Sequence, residues 1–162
     1  MIMRLNNPPI EYGKRFDSAA LSLVAFFYTL AWNWSSLGPV YLSDTVAYLV
    51  NAAILAGHHV DAMGSWHAGY SILLAPLFFM DDPFWIWKSV QIVNAALVGL
   101  AVFLSGALFD QLRPDLDRLS RAVCLVVIIL YPAFSAIAGY AYSSSIFSVN
   151  VLLIGLFTVF LR

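Results

Sequence analysis

The nine residues Arg113-Pro114-Asp115-Leu116-Asp117-Arg118-Leu119-Ser120-Arg121 separate two long apolar runs, Phe84 to Phe109 and Ala122 to Ala138. They hold three of the eight Lys and Arg in 162 residues. A bilayer keeps short loops rich in Lys and Arg on its cytoplasmic side, so this break sets a topology for the rest of the chain. Working outward, Arg4, Lys14 and Arg15 precede the first apolar run, Ser18 to Trp34, and Arg162 closes the last, Ile146 to Leu161. A fifth stretch, Gly69 to Met80, contains Pro76 and falls well short of the roughly 20 residues a span needs. If it crossed, the Arg113–Arg121 loop would lie opposite the basic N-terminal segment. If it does not, seven of the eight basic residues share the cytoplasmic side and only Lys88 is left outside.

Composition supports the same class. The chain is 62% hydrophobic and 10% charged, whereas a soluble globular domain is about 25% charged. An aromatic share of 15% is too high for a disordered chain. The single cysteine, Cys124, excludes an intrachain disulfide framework and a thiolate metal site. A net charge of −1 without a dense basic patch argues against a nucleic-acid partner. The first run ends in Trp32-Asn33-Trp34, an interfacial aromatic belt, with no small-x-small cleavage site, and reads as an uncleaved anchor. The expectation is an all-α membrane protein, one transmembrane module over residues 1–162. It has four spans at about 18–37, 84–109, 121–138 and 145–161, multi-pass in the plasma (inner) membrane with a cytoplasmic N-terminus.

This topology leaves one large external loop, residues 38–83. Gly38-Pro39 stops the first helix. Ser43 or Asp44 caps a helix over about 44–56, with Gly57 as its C-terminal stop. On that helix Asp44, Tyr48, Asn51 and Leu55 share a face opposite Val46, Leu49, Val50 and Ala53, which predicts an amphipathic element lying at the interface. A second juxtamembrane helix is expected over about 68–80, preceded by Trp66-His67 and closed by Asp81-Asp82-Pro83. Gly99 and Gly106, with Ser105, point to a close helix contact rather than a ligand site.

Candidate chemistry concentrates in that loop and beside it. Asp44 is an acid at a helix N-terminus on the outer surface, where the dipole favours the carboxylate and suits a general base; as a plain helix cap it would need no further role. His58, His59, Asp61 and His67 cluster after Gly57. Adjacent histidines do not both face one ion, so no metal is expected; they are solvated, or they hydrogen-bond a phosphate or a sugar. Lys88 either snorkels to headgroups or neutralises the phosphate of a lipid-linked substrate. Gln91, Asn94 and Asn150 are intramembrane amides, functional candidates by default, though helix–helix hydrogen bonding accounts for them equally. No P-loop, GxSxG or paired-cysteine motif occurs.

Several segments in order resemble a known pattern. Asp44-Thr-Val-Ala-Tyr48, continuing to Gly57, resembles the loop after the first span of GT-C glycosyltransferases. Trp66-His-Ala-Gly-Tyr70-Ser-Ile-Leu-Leu-Ala-Pro76 looks like their Gly-Tyr segment, and Lys88-Ser-Val-Gln91-Ile-Val-Asn94 like the opening of their second span. Tyr131-Pro132-Ala133-Phe134 follows in the same order. The chain is similar, over Ser18 to Arg162, to the protein mannosyltransferase and aminoarabinose transferase branch. That resemblance implies transfer of a sugar from a polyprenyl-phosphate donor to a hydroxyl or amide acceptor on the external face; for this chain neither a cofactor nor a divalent metal is expected, the lipid-linked sugar being the donor substrate. It gives Asp44 the place of the catalytic acid; in a transferase module Lys88 would lie near the donor phosphate and Trp66, His67 and Tyr70 would shape the sugar pocket, with Tyr48, His58, His59 and Gln91 as further substrate-binding candidates. Two departures stand out. Tyr142-Ser143-Ser144-Ser145-Ile146-Phe147 lacks the acid often found in the second external loop, and four spans are fewer than the family has. The chain is therefore read as a fragment, as half of a split enzyme working with a second multi-span membrane protein, or as a non-catalytic membrane subunit. A lipid-binding or transport protein is a further alternative.

Overall fold

The computed structural model describes residues 12–38, 43–61 and 68–131, together with positions 149, 151–153, 155, 156 and 159. Its regular elements are helices, and no strand occurs among the described residues. Five α-helices are defined: α1 (Tyr12–Asn33), α2 (Ser43–Leu55), α3 (Ala68–Leu74), α4 (Pro83–Leu112) and α5 (Arg118–Leu130), with a 3₁₀ helix (Ala75–Phe79) between α3 and α4. Of these, α4 alone among the described residues is long and apolar enough to cross a membrane by length and composition.

Local chemistry sets the ends. α2 stops where Gly57 takes φ +93°, a conformation that costs glycine little and a side chain much. There the His58 amide donates to the Ala53 carbonyl and the Gly57 amide to the Ile54 carbonyl, both at 3.0 Å. These are the paired bonds of a Schellman stop. α4 starts at Pro83, where no amide is needed, and the Asp82 carboxylate accepts from the Phe84 amide at 2.8 Å. Asp117 likewise caps α5, its carboxylate accepting from the amide and hydroxyl of Ser120.

Several expected boundaries differ. The first helix covers 12–33 instead of 18–37: it ends at Asn33, whose side-chain amide turns back to donate to the Thr29 carbonyl. The helix expected over 68–80 is split, α-helical to Leu74 and 3₁₀ beyond it. Pro76 supplies the reason, since its ring clashes with a preceding α-helical turn and it has no amide to donate. α5 begins at Arg118, three residues before the expected start. The outer half of the third expected span lies outside the described residues. Positions 149, 151–153, 155, 156 and 159 are helical.

α1 and α4 run antiparallel in close contact. The edge of α1 that faces α4 carries small side chains, buried Ser18, Ala25 and Thr29 with half-buried Ser22, spaced four, three and four apart along the helix. Gly99 and Gly106 of α4 face it: a Cβ on Gly99 would lie 3.0 Å from the Ser22 carbonyl oxygen, and one on Gly106 would run into the Ser18 hydroxyl and Arg121. The Ser22 hydroxyl donates to the Gly99 carbonyl at 2.8 Å. The close contact expected from these glycines is therefore present, and its partner is α1. α5 closes a three-helix layer through Leu125 and Ile129 against Ala25, Val98 and Val102. Val149, with Leu152 and Leu156, covers another side of α4 at Ala101 and Leu104.

α2, α3 and the 3₁₀ helix form a separate head at the N-terminal end of α4. Tyr48, Ala52, Tyr70 and Leu74 pack there on Trp87 and Val90.

Candidate functional site

The head brings together several of the residues singled out above. α2 lies on α3 through the Ser71 hydroxyl, which donates to the Tyr48 carbonyl at 3.0 Å, and through the rings of Tyr48 and Tyr70, which meet edge to face at 5.3 Å. Tyr70 then reaches α4: its hydroxyl donates to Asn94 Oδ1 at 2.6 Å. Tyr70 is 2% exposed, and burial pushes its phenol above the ordinary value of 10.0, so it is neutral and a hydrogen-bond donor. The face assignment of α2 is corrected by this arrangement. Tyr48 belongs to the buried face with Thr45 and Ala52, while Val46, Ile54 and Leu55 are exposed. The reason is the edge-on pairing with Tyr70, a partner 22 residues away that helical spacing within α2 does not reveal.

Asp44 lies in the first turn of this docked helix, half-buried, one turn before Tyr48. The first amides of a helix are unpaired along its axis and carry partial positive charge.

Lys88 and Gln91 meet a different element from the one expected of them. Lys88 is 2% exposed. Its ammonium group donates to the carbonyls of Trp34 at 2.5 Å and Ser36 at 2.8 Å, and to Gln91 Oε1 at 3.3 Å. It also lies 4.8 Å from the ring centroid of Trp34 and 5.4 Å from that of Phe84. Gln91 donates to the Asn33 carbonyl at 2.9 Å and the Ser36 carbonyl at 3.4 Å. Both side chains thus bind the turn that follows α1: Lys88 takes the carbonyls of Trp34 and Ser36, and Gln91 those of Ser36 and of Asn33, the last residue of α1. Backbone that leaves a helix has carbonyls without ladder partners, and the antiparallel neighbour α4 offers donors at that height.

The histidines stand apart. His58 and His59 are exposed after Gly57, with Asp61 two residues on, and His58 Nε2 lies 2.7 Å from the Phe78 carbonyl, tying the end of α2 to the 3₁₀ helix. Trp66, His67 and Asn150 fall outside the described residues. No group of three His, Cys, Asp or Glu that could hold a metal occurs among the described residues. Cys124 is exposed on α5.

Two further features were not singled out from the sequence. Thr45 Oγ1 and Trp87 Nε1 are buried in the head without a hydrogen-bond partner. At the far end of α4, Arg121 is 2% exposed, pairs with Asp110 at 2.8 Å and donates to the Ser18 hydroxyl. Arg118 grips Asp17 with two bonds of 2.5 and 2.7 Å. The Arg118 guanidinium holds the Asp17 carboxyl below its ordinary value of 3.8. Both arginines lie in the first turn of α5, where the helix dipole disfavours a cation, and Asp110 lies in the last turn of α4, where it disfavours an anion. Each charge therefore finds its complement on another helix. A scan for charges placed at the unfavourable end of their own helix would have singled out all three.

No family model, curated protein or solved structure matches the chain.

Proposed function

We propose that the chain is a GT-C-like membrane glycosyltransferase module that transfers a sugar from a polyprenyl-phosphate donor on the external face of the plasma (inner) membrane. In this reading α1, α4, α5 and the helix through positions 149–159 cross the bilayer, with the N-terminus and the α4–α5 turn in the cytoplasm and the head outside. The membrane part is supported by inverted polarity. Large apolar side chains such as Leu23, Phe27, Leu100, Phe103, Val123 and Val127 are exposed, while Ser18, Thr29, Lys88, Gln91, Asn94 and Arg121 are buried. Lipid removes the penalty for the first group and raises it for any unpaired member of the second. α4, at 30 residues, extends about 45 Å, beyond a hydrocarbon core of about 30 Å. Trp32, Trp34, Phe84 and Trp85 supply an aromatic belt at the head end, and ion pairs lie at the other.

The observation that carries the catalytic part is the mounting of Asp44. It sits on the first turn of a helix docked through Ser71, Tyr48 and Tyr70 onto the span that opens at Pro83. The acceptor hydroxyl attacks the anomeric carbon, the bond from that carbon to the phosphate oxygen breaks, and polyprenyl phosphate leaves with the electron pair. Asp44 takes the acceptor proton. The test compares membranes holding equal amounts of the native chain and Asp44→Asn, each supplied with radiolabelled polyprenyl-phosphate sugars. Removal of a general base lowers transfer by about 10²–10⁴-fold. Equal transfer by both chains would sink the assignment.

A second reading, a non-catalytic membrane subunit, is favoured by a specific observation: Lys88, Gln91, Tyr70 and Asn94 are engaged with one another or with α1. That subunit would dock on a second multi-span membrane protein. In native mass spectrometry of gently released complexes, a second multi-span polypeptide means a split transferase or a subunit, its identity deciding which, whereas the chain alone with a polyprenyl-phosphate-sized adduct means a lipid-sugar site.

A further inference from the structure

We infer that Lys88 is a positioning residue, locking the exit of α1 that feeds the head, and not a contact for an anionic donor. Every described partner of its ammonium is an uncharged oxygen: the carbonyls of Trp34 and Ser36 and the side-chain oxygen of Gln91. An ammonium has three N–H donors, so this set uses its full capacity. The rings of Trp34 and Phe84 add cation–π contacts at 4.8 and 5.4 Å from their centroids.

A buried cation without a carboxylate is costly in a low-dielectric setting, and here the compensation comes from the turn that follows α1. Gln91 holds the Asn33 and Ser36 carbonyls as well, so both side chains act on the same short segment. The Ser36 hydroxyl closes that segment by donating to the Gly38 carbonyl at 2.8 Å. Ser36 stands eight residues before Asp44. α2 is itself docked on α3 through Ser71 and Tyr70. The catalytic part of this inference rests on the transferase reading; the lock itself does not.

The experiment uses the full chain in nanodiscs of phosphatidylethanolamine and phosphatidylglycerol. It compares the native protein with Lys88→Met, which keeps the stem and removes the charge, with Lys88→Arg, and with Gln91→Leu as a milder variant. Amide exchange is read at residues 34–38 and in the first turn of α2, and undecaprenyl phosphate binding is titrated across salt concentrations. Lys88→Met should speed exchange in both segments by about 10-fold or more, Gln91→Leu should do so by less, and Lys88→Arg should recover most of the protection. Binding of the lipid phosphate should stay within about twofold, with the same salt dependence. Where transfer is measurable, Lys88→Met lowers kcat and leaves the donor KM unchanged. Unchanged exchange in Lys88→Met and Gln91→Leu would overturn the lock. So would a lipid phosphate affinity that falls about tenfold and loses its salt dependence in Lys88→Met, which would make Lys88 a phosphate ligand. If the native chain binds no lipid phosphate, the transferase reading fails while exchange still decides the lock.

Discussion

The two ends of the α1–α4 pair solve the same problem in different ways. Each buries a cation where water is scarce. At the C-terminal end of α4, Arg121 faces Asp110 and Ser18, with Arg118 and Asp17 beside it, so charge meets opposite charge across three helices. At the head end Lys88 has no carboxylate partner among the described residues and is met by the carbonyls of Trp34 and Ser36, in the turn that follows α1. Each end sets a helix C-terminus beside a helix N-terminus, so the difference lies in the partners each offers. The turn after α1 presents backbone carbonyls at the height of Lys88, whereas at the other end α1 and α4 present the carboxylates of Asp17 and Asp110 to the arginines of α5. One end is a set of ion pairs, sensitive to losing either partner. The other is a hydrogen-bonded cap, sensitive to the geometry of the backbone it holds.

The largest effect is expected at the ion pairs. Asp110→Ala leaves Arg121 buried without its carboxylate and should lower stability by about 3–5 kcal/mol, read as the thermal midpoint in detergent. The double variant Asp110→Leu with Arg121→Met should recover most of that loss, because no charge is then left uncompensated. A double variant as unstable as the single one would show that the pair is incidental and that side-chain volume matters instead.

At the head end, Asn94→Leu removes the acceptor of the Tyr70 hydroxyl and should cost about 1–3 kcal/mol, whereas Tyr70→Phe with Asn94→Leu should cost less than Asn94→Leu alone. Chemical denaturation followed through tryptophan emission distinguishes them. If the single and double variants unfold alike, the tyrosine hydroxyl finds another partner.

Between the ends, Gly106→Ala places a methyl group against Ser18 and Arg121. Overpacking there should outweigh the gain in helix propensity and give a net loss of about 1–2 kcal/mol. Adding Ser18→Gly should relieve it, and a double-variant cycle checks the coupling.

The smallest effect concerns pH. The carboxyl of Asp17 is depressed in the folded state by Arg118, so the unfolded chain takes up its proton at a higher pH than the folded one does. The contribution is fully present above the ordinary value of 3.8 and fades as pH falls through the lower folded value. Because the Arg118 side chain is exposed, salt should weaken it. Arg118→Gln should flatten this acid limb, and an unaltered limb would mean that Asp17 contributes nothing there.

How far these contrasts could be read in advance depends on the distance over which each cause acts. Gly57 and the pair Gly99 and Gly106 were legible because a stop and a close approach are written in the residues that perform them, whereas Asp81-Asp82-Pro83 reads from the sequence only as the end of the helix before it and in the structure also caps α4. Lys88 was legible as an unusual residue, but its partners are backbone carbonyls more than fifty positions upstream, and carbonyls have no sequence signature. Asp17 and Arg118 are 101 residues apart, and only the antiparallel return of the chain brings them together. The basic residues of the α4–α5 turn counted toward topology, while the structure uses Arg121 to hold helices together and Arg118 to grip Asp17. Tyr48 was misplaced on its helix because the ring that buries it belongs to α3.

The central claim is that α4 separates two compartments, with the head on one side and the ion-paired turn on the other. Site-directed labelling tests it directly: in a Cys124→Ser chain, Asp61→Cys in the head loop and Leu116→Cys in the α4–α5 turn are treated with a membrane-impermeant maleimide on intact cells and after permeabilisation. The account predicts labelling of Asp61→Cys in intact cells, and of Leu116→Cys only once the membrane is opened. Labelling of both from the same side would contradict it.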